Sequence, residues 1–473
     1  MVMGTSSSAG KSLVTTALCR CFARRGFRVA PFKAQNMSNN AAVCGDGAEI
    51  GRSQALQAMA AGTLPHSDMN PILLKPEGQT RSQVIVNGRP HKTLEAVDYF
   101  KRRQQLWPHV TAAVDRLRDQ YDVVVIEGAG SPAELNLASV EMVNMSVARY
   151  CQSPVLLVGD IERGGVFAQL LGTLWLLEPE DRKLIKALLV NKFRGDLSLF
   201  DSGVEILEER GGVDVLGVLP WIDDLQLPEE DAVALGGCDL RNPTRERGIA
   251  AGPSHESQVD IAVIHLPHIA NFDDFDPLAA EPSVRLRYVR SCEQLGHPDV
   301  VILPGTKNTM GDLQWLRDAG LARHIEQLAA AETTVVGICG GYQMLGQFID
   351  NPHRLESGVE RAAGLRLLPV STTFEAEKQT CQVQFQIVDE AIVAGMTGEW
   401  LSGYEIHNGQ THSNTAWLKN SSKNDGAHAR DGRIWGCYLH GLFHNDRFRT
   451  AWLNRLGAQP ILLEPTSSQT QLQ

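Results

Sequence analysis

The sequence has no apolar run approaching the roughly 18 residues that span a bilayer, and it has no excess of positive charge. Lys and Arg total 44 against 55 Asp and Glu, a formal net charge of −11. The first absence argues against a transmembrane helix. The second argues against a general affinity for nucleic acid or an anionic membrane, although an anionic small substrate stays open because local clusters decide that. Cysteine is sparse as well, nine in 473 residues, scattered without a repeated C-x-x-C pattern. This excludes a disulfide framework or a cysteine-based zinc site and suits a reducing cytosol. The chain opens directly into a glycine-rich motif with no room for a signal peptide, so the cytoplasm is the expected compartment. No internal repeat is visible.

What is present is globular. Hydrophobic residues make up 43% and charged residues 21%, and the length exceeds one ordinary core, so two domains are expected. In the first half, DVVVIEGAGS (122–131), PVLLVGDIERGG (154–165), IKALLVNKFRGD (185–196) and DVLGVLP (214–220) are continuous apolar runs ending in Gly, Asp or Pro. Such runs suit parallel strands buried on both faces. Between them lie helical patterns such as Lys11–Arg25, with Leu13, Val14, Ala17, Leu18, Cys21 and Phe22 on one stripe. A second series follows: VDIAVIHLP (259–267), VRLRYVR (284–290), DVVILPGT (299–306) and TTVVGIC (333–339). The reading is α/β, with chemistry at the C-terminal ends of strands. The expected divisions are a nucleotide-dependent domain at 1–235, a Gly/Pro/charge-rich linker at 236–258, a second α/β domain at 259–455 and a polar tail at 456–473.

GTSSSAGKS (4–12) follows a short apolar start and precedes a helix. Gly4, Thr5 and Gly10 shape a backbone nest for phosphate, Lys11 reaches the β/γ-phosphates, and the Ser12 hydroxyl can ligate Mg²⁺. The loop has one residue more than G-x-x-x-x-G-K-[ST]. Only Met1 to Met3 precede it, so the first strand is expected to be short. Glu127 leaves a buried strand into a Gly-rich turn, where a metal-ordering acid belongs. Asp46 and Glu49 compete for a further metal role, and the sequence does not separate them. Asn191 and Lys192 end a strand where a nucleotide base would lie. Asp160 and Arg163 end another beside the same cleft.

VVGICGGYQMLGQ (335–347) puts Cys339 between a β-branched run and a helix-like stretch. A strand-to-helix corner exposes the thiol, and the following helix N-terminus favours the thiolate. The N–H of Gly340 can donate to an oxyanion. The base for such a nucleophile is expected at His440, in GCYLHGLFHND (436–446), just after a short apolar strand. His407, His412 and His444 are rivals, the last placed a turn too far on and expected at the surface.

On these residues the second half resembles the class I glutamine amidotransferase family, which implies a flavodoxin-like domain joined here to a P-loop NTPase-like parallel sheet. The resemblance implies that Cys339 attacks the glutamine amide, that His440 shuttles the proton, and that ammonia leaves for a second site. Gly305 and Thr306, in LPGTKNT, match the loop that supplies oxyanion donors. Gln343 and Tyr404, the latter in GYEIHNG (403–409), resemble glutamine-side elements of the cobyrinate-amidating branch. Most class I members carry His-x-Glu; here that position is Leu442, so the third triad member is missing or comes from elsewhere.

The first half resembles dethiobiotin-synthetase-like ATPases, which activate carboxylates by phosphoryl transfer. PFKAQNMSNN (31–40), DGAEIGRSQALQAMAAG (46–62), MNPILLKP (69–76) and SQVIVNGRP (82–90) are similar to the cobyric acid synthase family of cobalamin biosynthesis, from Gly4 to about Trp452. That resemblance implies ATP- and glutamine-dependent amidation of the b, d, e and g carboxylates of adenosylcobyrinic acid a,c-diamide, a corrinoid acid, with ATP and Mg²⁺. It also implies that Lys33, Gln35, Asn36 and Lys75 meet the corrinoid carboxylate and phosphates. Two other readings remain: a sister enzyme amidating the a and c positions, and a nucleotide-switch ATPase whose rear half only binds. The switch class usually has a lysine five residues before the loop lysine, where this chain has Ser6. An inert rear half would be expected to lose its nucleophile, yet Cys339 and His440 are both present. No nucleic-acid or membrane partner is expected, and a homo-oligomer is compatible with the sequence.

Overall fold

A computed structural model of the protein describes residues 1–77, 80–95, 97–99, 103–136, 141–222, 258–356 and 358–458. These fall into two compact units, 1–222 and 258–458. The expected linker at 236–258, Gln258 apart, and the tail beyond residue 458 lie outside the described residues. No helix among those residues is long and apolar enough to cross a membrane.

In the front unit, Val2–Gly4, Val155–Asp160, Ile185–Phe193 and Val215–Pro220 form one parallel sheet in that spatial order. Val29–Phe32 pairs in parallel with Val123–Ile126. A bridge between Val2 and Glu127, with the Gly128 N–H donating to Val2 O at 2.8 Å, brings the two pieces side by side. The first strand has three residues, all buried, and the loop at 4–12 leaves its C-terminal end into the helix Lys11–Arg24. That helix buries Lys11, Val14, Thr15 and Cys19, while Ala17 and Cys21 face solvent. The stripe read from the sequence is therefore rotated. Two polar contacts set the rotation: Lys11 folds back into the loop and towards Gly130 O, and Ser12 reaches Glu127. A further sheet, Gln35–Met37, Ile72–Pro76, Arg81–Val86 and Arg89–Glu95, carries the stretches between. Periodicity alone did not indicate it.

The rear unit holds a sheet in the order Val284–Val289, Val259–Ile264, Val300–Leu303, Thr334–Ile338, Ile434–Cys437, Ala427–Ala429. The first five are parallel, a 2-1-3-4-5 order of the flavodoxin kind. Ile261, Val263, Val301, Ile302, Val335 and Val336 are fully buried along it, as expected of strands covered on both faces. An antiparallel hairpin, Ser371–Ile387 with Trp400–His412, lies in a second sheet. Its second strand touches the first sheet's C-terminal edge through a bridge between Tyr404 and His440.

Candidate active site

In the rear unit three parallel strands end together. Thr334–Ile338 leads straight into Cys339, which takes a left-handed φ of 51° and caps the helix Gly340–Leu345. A non-glycine residue in that region is strained, and the neighbouring glycines show what the strain serves. A side chain at Gly341 would overlap the Leu303 carbonyl, and one at Gly340 would lie 3.2 Å from the Thr306 N and 2.7 Å from its methyl. The nucleophile corner is thus pressed against the loop at Gly305–Thr306, which follows Val300–Leu303. Thr306 Oγ1 donates to His268 O at 3.0 Å, and its neighbour Gly305 accepts from Ala270 N–H at 2.9 Å; both contacts hold the loop still.

The third strand, Ile434–Cys437, delivers His440, which is buried. Its Nδ1 is 2.6 Å from Asp274 Oδ2, and Asp274 Oδ1 accepts the Gly441 N–H at 2.8 Å. With Nδ1 so engaged, Nε2 is the nitrogen left for the Cys339 thiol, with which the ring interacts. Burial lowers the imidazole's affinity for a proton, but the Asp274 carboxylate and the Cys339 sulfur outweigh it and raise the pKa to about 10. The Tyr404 ring stacks on His440 with centroids 5.2 Å apart, and its hydroxyl accepts from Asn271 at 3.1 Å. Gln343 is held at both ends, accepting from Thr309 Oγ1 at 3.0 Å and donating to the Tyr438 hydroxyl at 3.1 Å. The Thr309 N–H donates to Glu356 at 2.7 Å, and burial pushes that carboxyl up to about 7.

In the front unit, Glu127 is almost fully buried and is the centre of a polar cluster. Its Oε1 accepts from Ser12 Oγ at 2.8 Å and from Lys33 Nζ at 3.0 Å, and its Oε2 from Gln57. Lys11 Nζ lies among the carbonyls of Ser6, Ser7 and Gly130, at 2.8, 3.3 and 3.2 Å. A second buried pair joins Lys75 to Glu49 at 2.9 Å, and Asn36 donates to Gln54 at 3.1 Å. Buried ion pairs stabilise little on balance, so neither pair is explained by stability alone. A hydroxyl and a carboxylate oxygen 2.8 Å apart are hard donors that fit Mg²⁺, which takes one or two carboxylates plus phosphate oxygens and water. No group of three or more His, Cys, Asp or Glu side chains among the described residues would hold a metal alone.

Family models match both halves: a CobQ/CobB/MinD/ParA nucleotide binding domain over residues 1–233 and a CobB/CobQ-like glutamine amidotransferase domain over residues 260–448. A cobyric acid synthase of Chloroflexus aurantiacus is 55% identical over 97% of this chain and 92% of its own. Those of Roseiflexus castenholzii and Herpetosiphon aurantiacus are 53% and 52% identical, over 97% of this chain and 92% and 91% of theirs. The chain belongs to the cobyric acid synthase family.

Against that family's expected site, the structure brings Cys339, His440, Gly305, Thr306, Gly340, Gln343 and Tyr404 together at one sheet edge. Tyr404 serves as a platform for His440. Leu442 is buried in the apolar core, where a carboxylate would have no partner. Asp274, from a turn after Val259–Ile264, takes the place of the missing acid. It was legible only as one acid in the run FDDFD, and nothing in that run ties it to His440. Of the rival histidines, His412 and His444 are exposed, while His407 is buried against Tyr438.

In the front half, Gly4, Gly10, Lys11, Ser12, Lys33 and Glu127 gather around the loop. Gly10 takes φ 98°, and a side chain there would collide with Asn191. Asn191 donates to Ala9 O at 2.9 Å, and Lys192 donates to Ser8 O and to Asp160, each at 2.8 Å. Both therefore brace the loop from below. Thr5 is tied to Gln169 at 3.0 Å. Gln35 faces Tyr99 while Asn36 faces Gln54, as strand alternation requires. Asp46 is exposed in a turn and accepts its own Ala48 N–H at 3.0 Å; Glu49 is the buried one of the two. Arg163 is exposed. Gln54 and Gln57 were not singled out from the sequence, although their spacing of three residues puts both on one helix face.

Proposed function

We propose that the protein uses ATP and glutamine to amidate the b, d, e and g carboxylates of adenosylcobyrinic acid a,c-diamide, giving adenosylcobyric acid. The single observation that carries the rear half of this reading is the Cys339–His440–Asp274 arrangement beside the Gly305–Thr306 loop. Raised to about 10, His440 holds a proton on Nε2 opposite the Cys339 sulfur, and the sulfur, as thiolate, attacks the glutamine side-chain carbonyl carbon. The oxyanion that forms lies within reach of the Gly340 N–H and the backbone of the loop. His440 then gives the proton to the leaving nitrogen, ammonia departs, and water cleaves the thioester to glutamate. Asp274 holds the ring in one tautomer and stabilises its cationic form throughout.

At the front half a substrate carboxylate oxygen attacks the γ-phosphorus of ATP, forming an acyl phosphate and releasing ADP. Ammonia then attacks the acyl carbon and phosphate leaves. A carboxylate is a poor electrophile until its oxygen becomes a leaving group, and water must be kept out of both steps. Lys11 and Lys33 neutralise charge that develops on the transferred phosphoryl, and Lys75 and Asn36 face the carboxylate. Ser12 and Glu127 would hold Mg²⁺, which supplies charge neutralisation of the phosphates, while Glu49 is engaged by Lys75. The likeness to full-length cobyric acid synthases favours this reading over a sister enzyme acting at the a and c positions.

Mass spectrometry of adenosylcobyrinic acid a,c-diamide incubated with enzyme, ATP, Mg²⁺ and glutamine tests it: a stepwise series of four amidated products is expected. Cys339→Ser should abolish glutamine-driven amidation but keep activity with ammonium, and Lys11→Ala should lose both. Failure of ammonium to rescue Cys339→Ser would overturn the two-site scheme.

A further inference from the structure

One buried acid ties together two backbone stretches that flank the Cys339 corner. Asp312 lies in the first turn of the helix Thr309–Asp318 and has no exposed surface. Its Oδ1 is 2.7 Å from His268 Nδ1, and its Oδ2 accepts the His268 N–H at 3.1 Å and the Thr306 hydroxyl. A carboxylate only accepts, so Nδ1 carries the proton at that contact. The Thr306 oxygen in turn accepts the Asn308 N–H at 3.2 Å.

His268 follows Val259–Ile264, on the segment that also carries Asp274, and Thr306 follows Val300–Leu303. An antiparallel bridge between Ile269 and Thr306 joins the two stretches, with Ala270 N–H donating to Gly305 O and Lys307 N–H to His268 O, each at 2.9 Å. In that register Ile269 and Thr306 exchange no hydrogen bond with each other, so the Thr306 N–H points away from Ile269. Its nitrogen lies 3.2 Å from where a Gly340 side chain would sit, next to the residue that follows the nucleophile. A carboxylate is costly to bury, and an apolar side chain could fill the space beneath the loop without that cost. An apolar side chain could not direct hydrogen bonds at a ring, a backbone amide and a hydroxyl together, and it is those three contacts that fix the direction of the Thr306 backbone.

We propose that Asp312 and His268 are positioning residues for the oxyanion. By clamping the Thr306 side chain to the 268–270 segment, they hold the Thr306 N–H where negative charge forms on the glutamine carbonyl oxygen after the Cys339 sulfur adds. A donor stabilises that charge most when it needs no rearrangement at the moment of reaction. Asp312 acts through Thr306 and His268, not on the substrate. This inference rests on the proposed function and adds the residues that set the geometry of its first step.

The test uses the full-length enzyme with Asp312→Asn, His268→Phe and Thr306→Val, and with Thr306→Ser, which keeps the hydroxyl. Three quantities are measured: kcat and KM for glutamate release, inhibition by glutamate γ-semialdehyde, and the rate at which iodoacetamide alkylates Cys339, followed by peptide mass. The aldehyde adds to the sulfur and puts an oxyanion where the intermediate's would be; alkylation displaces iodide and makes none. In Asp312→Asn and Thr306→Val, kcat should fall about 10- to 100-fold, less than the loss on deleting an oxyanion donor outright. The aldehyde should bind more weakly by a similar factor, with KM and alkylation within about threefold of wild type. His268→Phe should lose about three- to tenfold in kcat and aldehyde affinity alike, and Thr306→Ser should stay within about threefold of wild type. A kcat and an aldehyde affinity within about twofold of wild type in both Asp312→Asn and Thr306→Val would overturn the proposal. So would alkylation falling as far as kcat, which would mark the cluster as support for the pocket as a whole. If Asp312→Asn does not fold, Thr306→Val and His268→Phe decide by the same criteria. A wild-type enzyme that releases no glutamate from glutamine would instead strike at the proposed function.

Discussion

Replacing Asp274 by Asn tests how the rear unit activates its thiol. The carboxylate makes two buried contacts, with His440 Nδ1 at 2.6 Å and with the Gly441 N–H at 2.8 Å. Asparagine keeps the shape but has one oxygen, so its amide NH₂ must face either the Gly441 N–H or the imidazole. If it faces the imidazole, the ring takes the other tautomer and places its hydrogen on Nε2, where the thiol proton has to go. The cationic ring also loses its main support. Burial, which lowers its pKa, is then opposed chiefly by Cys339, and the value of about 10 should fall. The same substitution beside a serine nucleophile is worth about 10⁴ in kcat. A thiol needs less help from its base because it ionises more readily, so we expect a loss of about 10²- to 10³-fold in glutamine hydrolysis. At 1.36 kcal/mol per decade this is about 3–4 kcal/mol of transition-state stabilisation. Glutamate release is measured at steady state, and amidation with ammonium chloride serves as the internal control, expected within twofold of wild type. Glutamine-driven turnover within threefold of wild type, with an unchanged melting temperature, would refute the assignment of Asp274.

Three further outcomes follow from buried groups. Lys33→Met strands the Glu127 carboxylate, whose pair is 5% and 0% exposed; denaturant unfolding should show a loss of about 3–5 kcal/mol, and a loss below about 1 kcal/mol would contradict the pairing. Gly341→Ala drives a methyl into the Leu303 carbonyl and should destabilise by about 1–3 kcal/mol or more; an unchanged Tm would refute the close approach. Burial first, then the charge of Glu405, raises the Asp425 carboxyl from 3.8 to about 7. The folded protein therefore keeps a proton that the unfolded chain releases, a contribution complete below about pH 4 and lost as pH rises through about 7. Asp425→Asn should flatten the decline of Tm between those values, and a slope equal to wild type would count against the burial argument.

The sequence by itself determined the two α/β series, the phosphate loop and the nucleophile corner. Each is local: continuous β-branched runs specify buried strands, glycines at fixed offsets specify tight turns, and Cys339 stands between a strand pattern and a helix pattern. The spacing of motifs also pointed to the family, because short stretches such as PFKAQNMSNN carry their information without a fold. Tertiary structure decided what depends on side chains far apart in the chain. Asp274 meets His440 across 166 residues, and Ser12 meets Glu127 across 115; no period or spacing encodes such pairs. Nor could amphipathicity fix the rotation of Lys11–Arg24, because the polar contacts of Lys11 and Ser12 outweigh the apolar pattern.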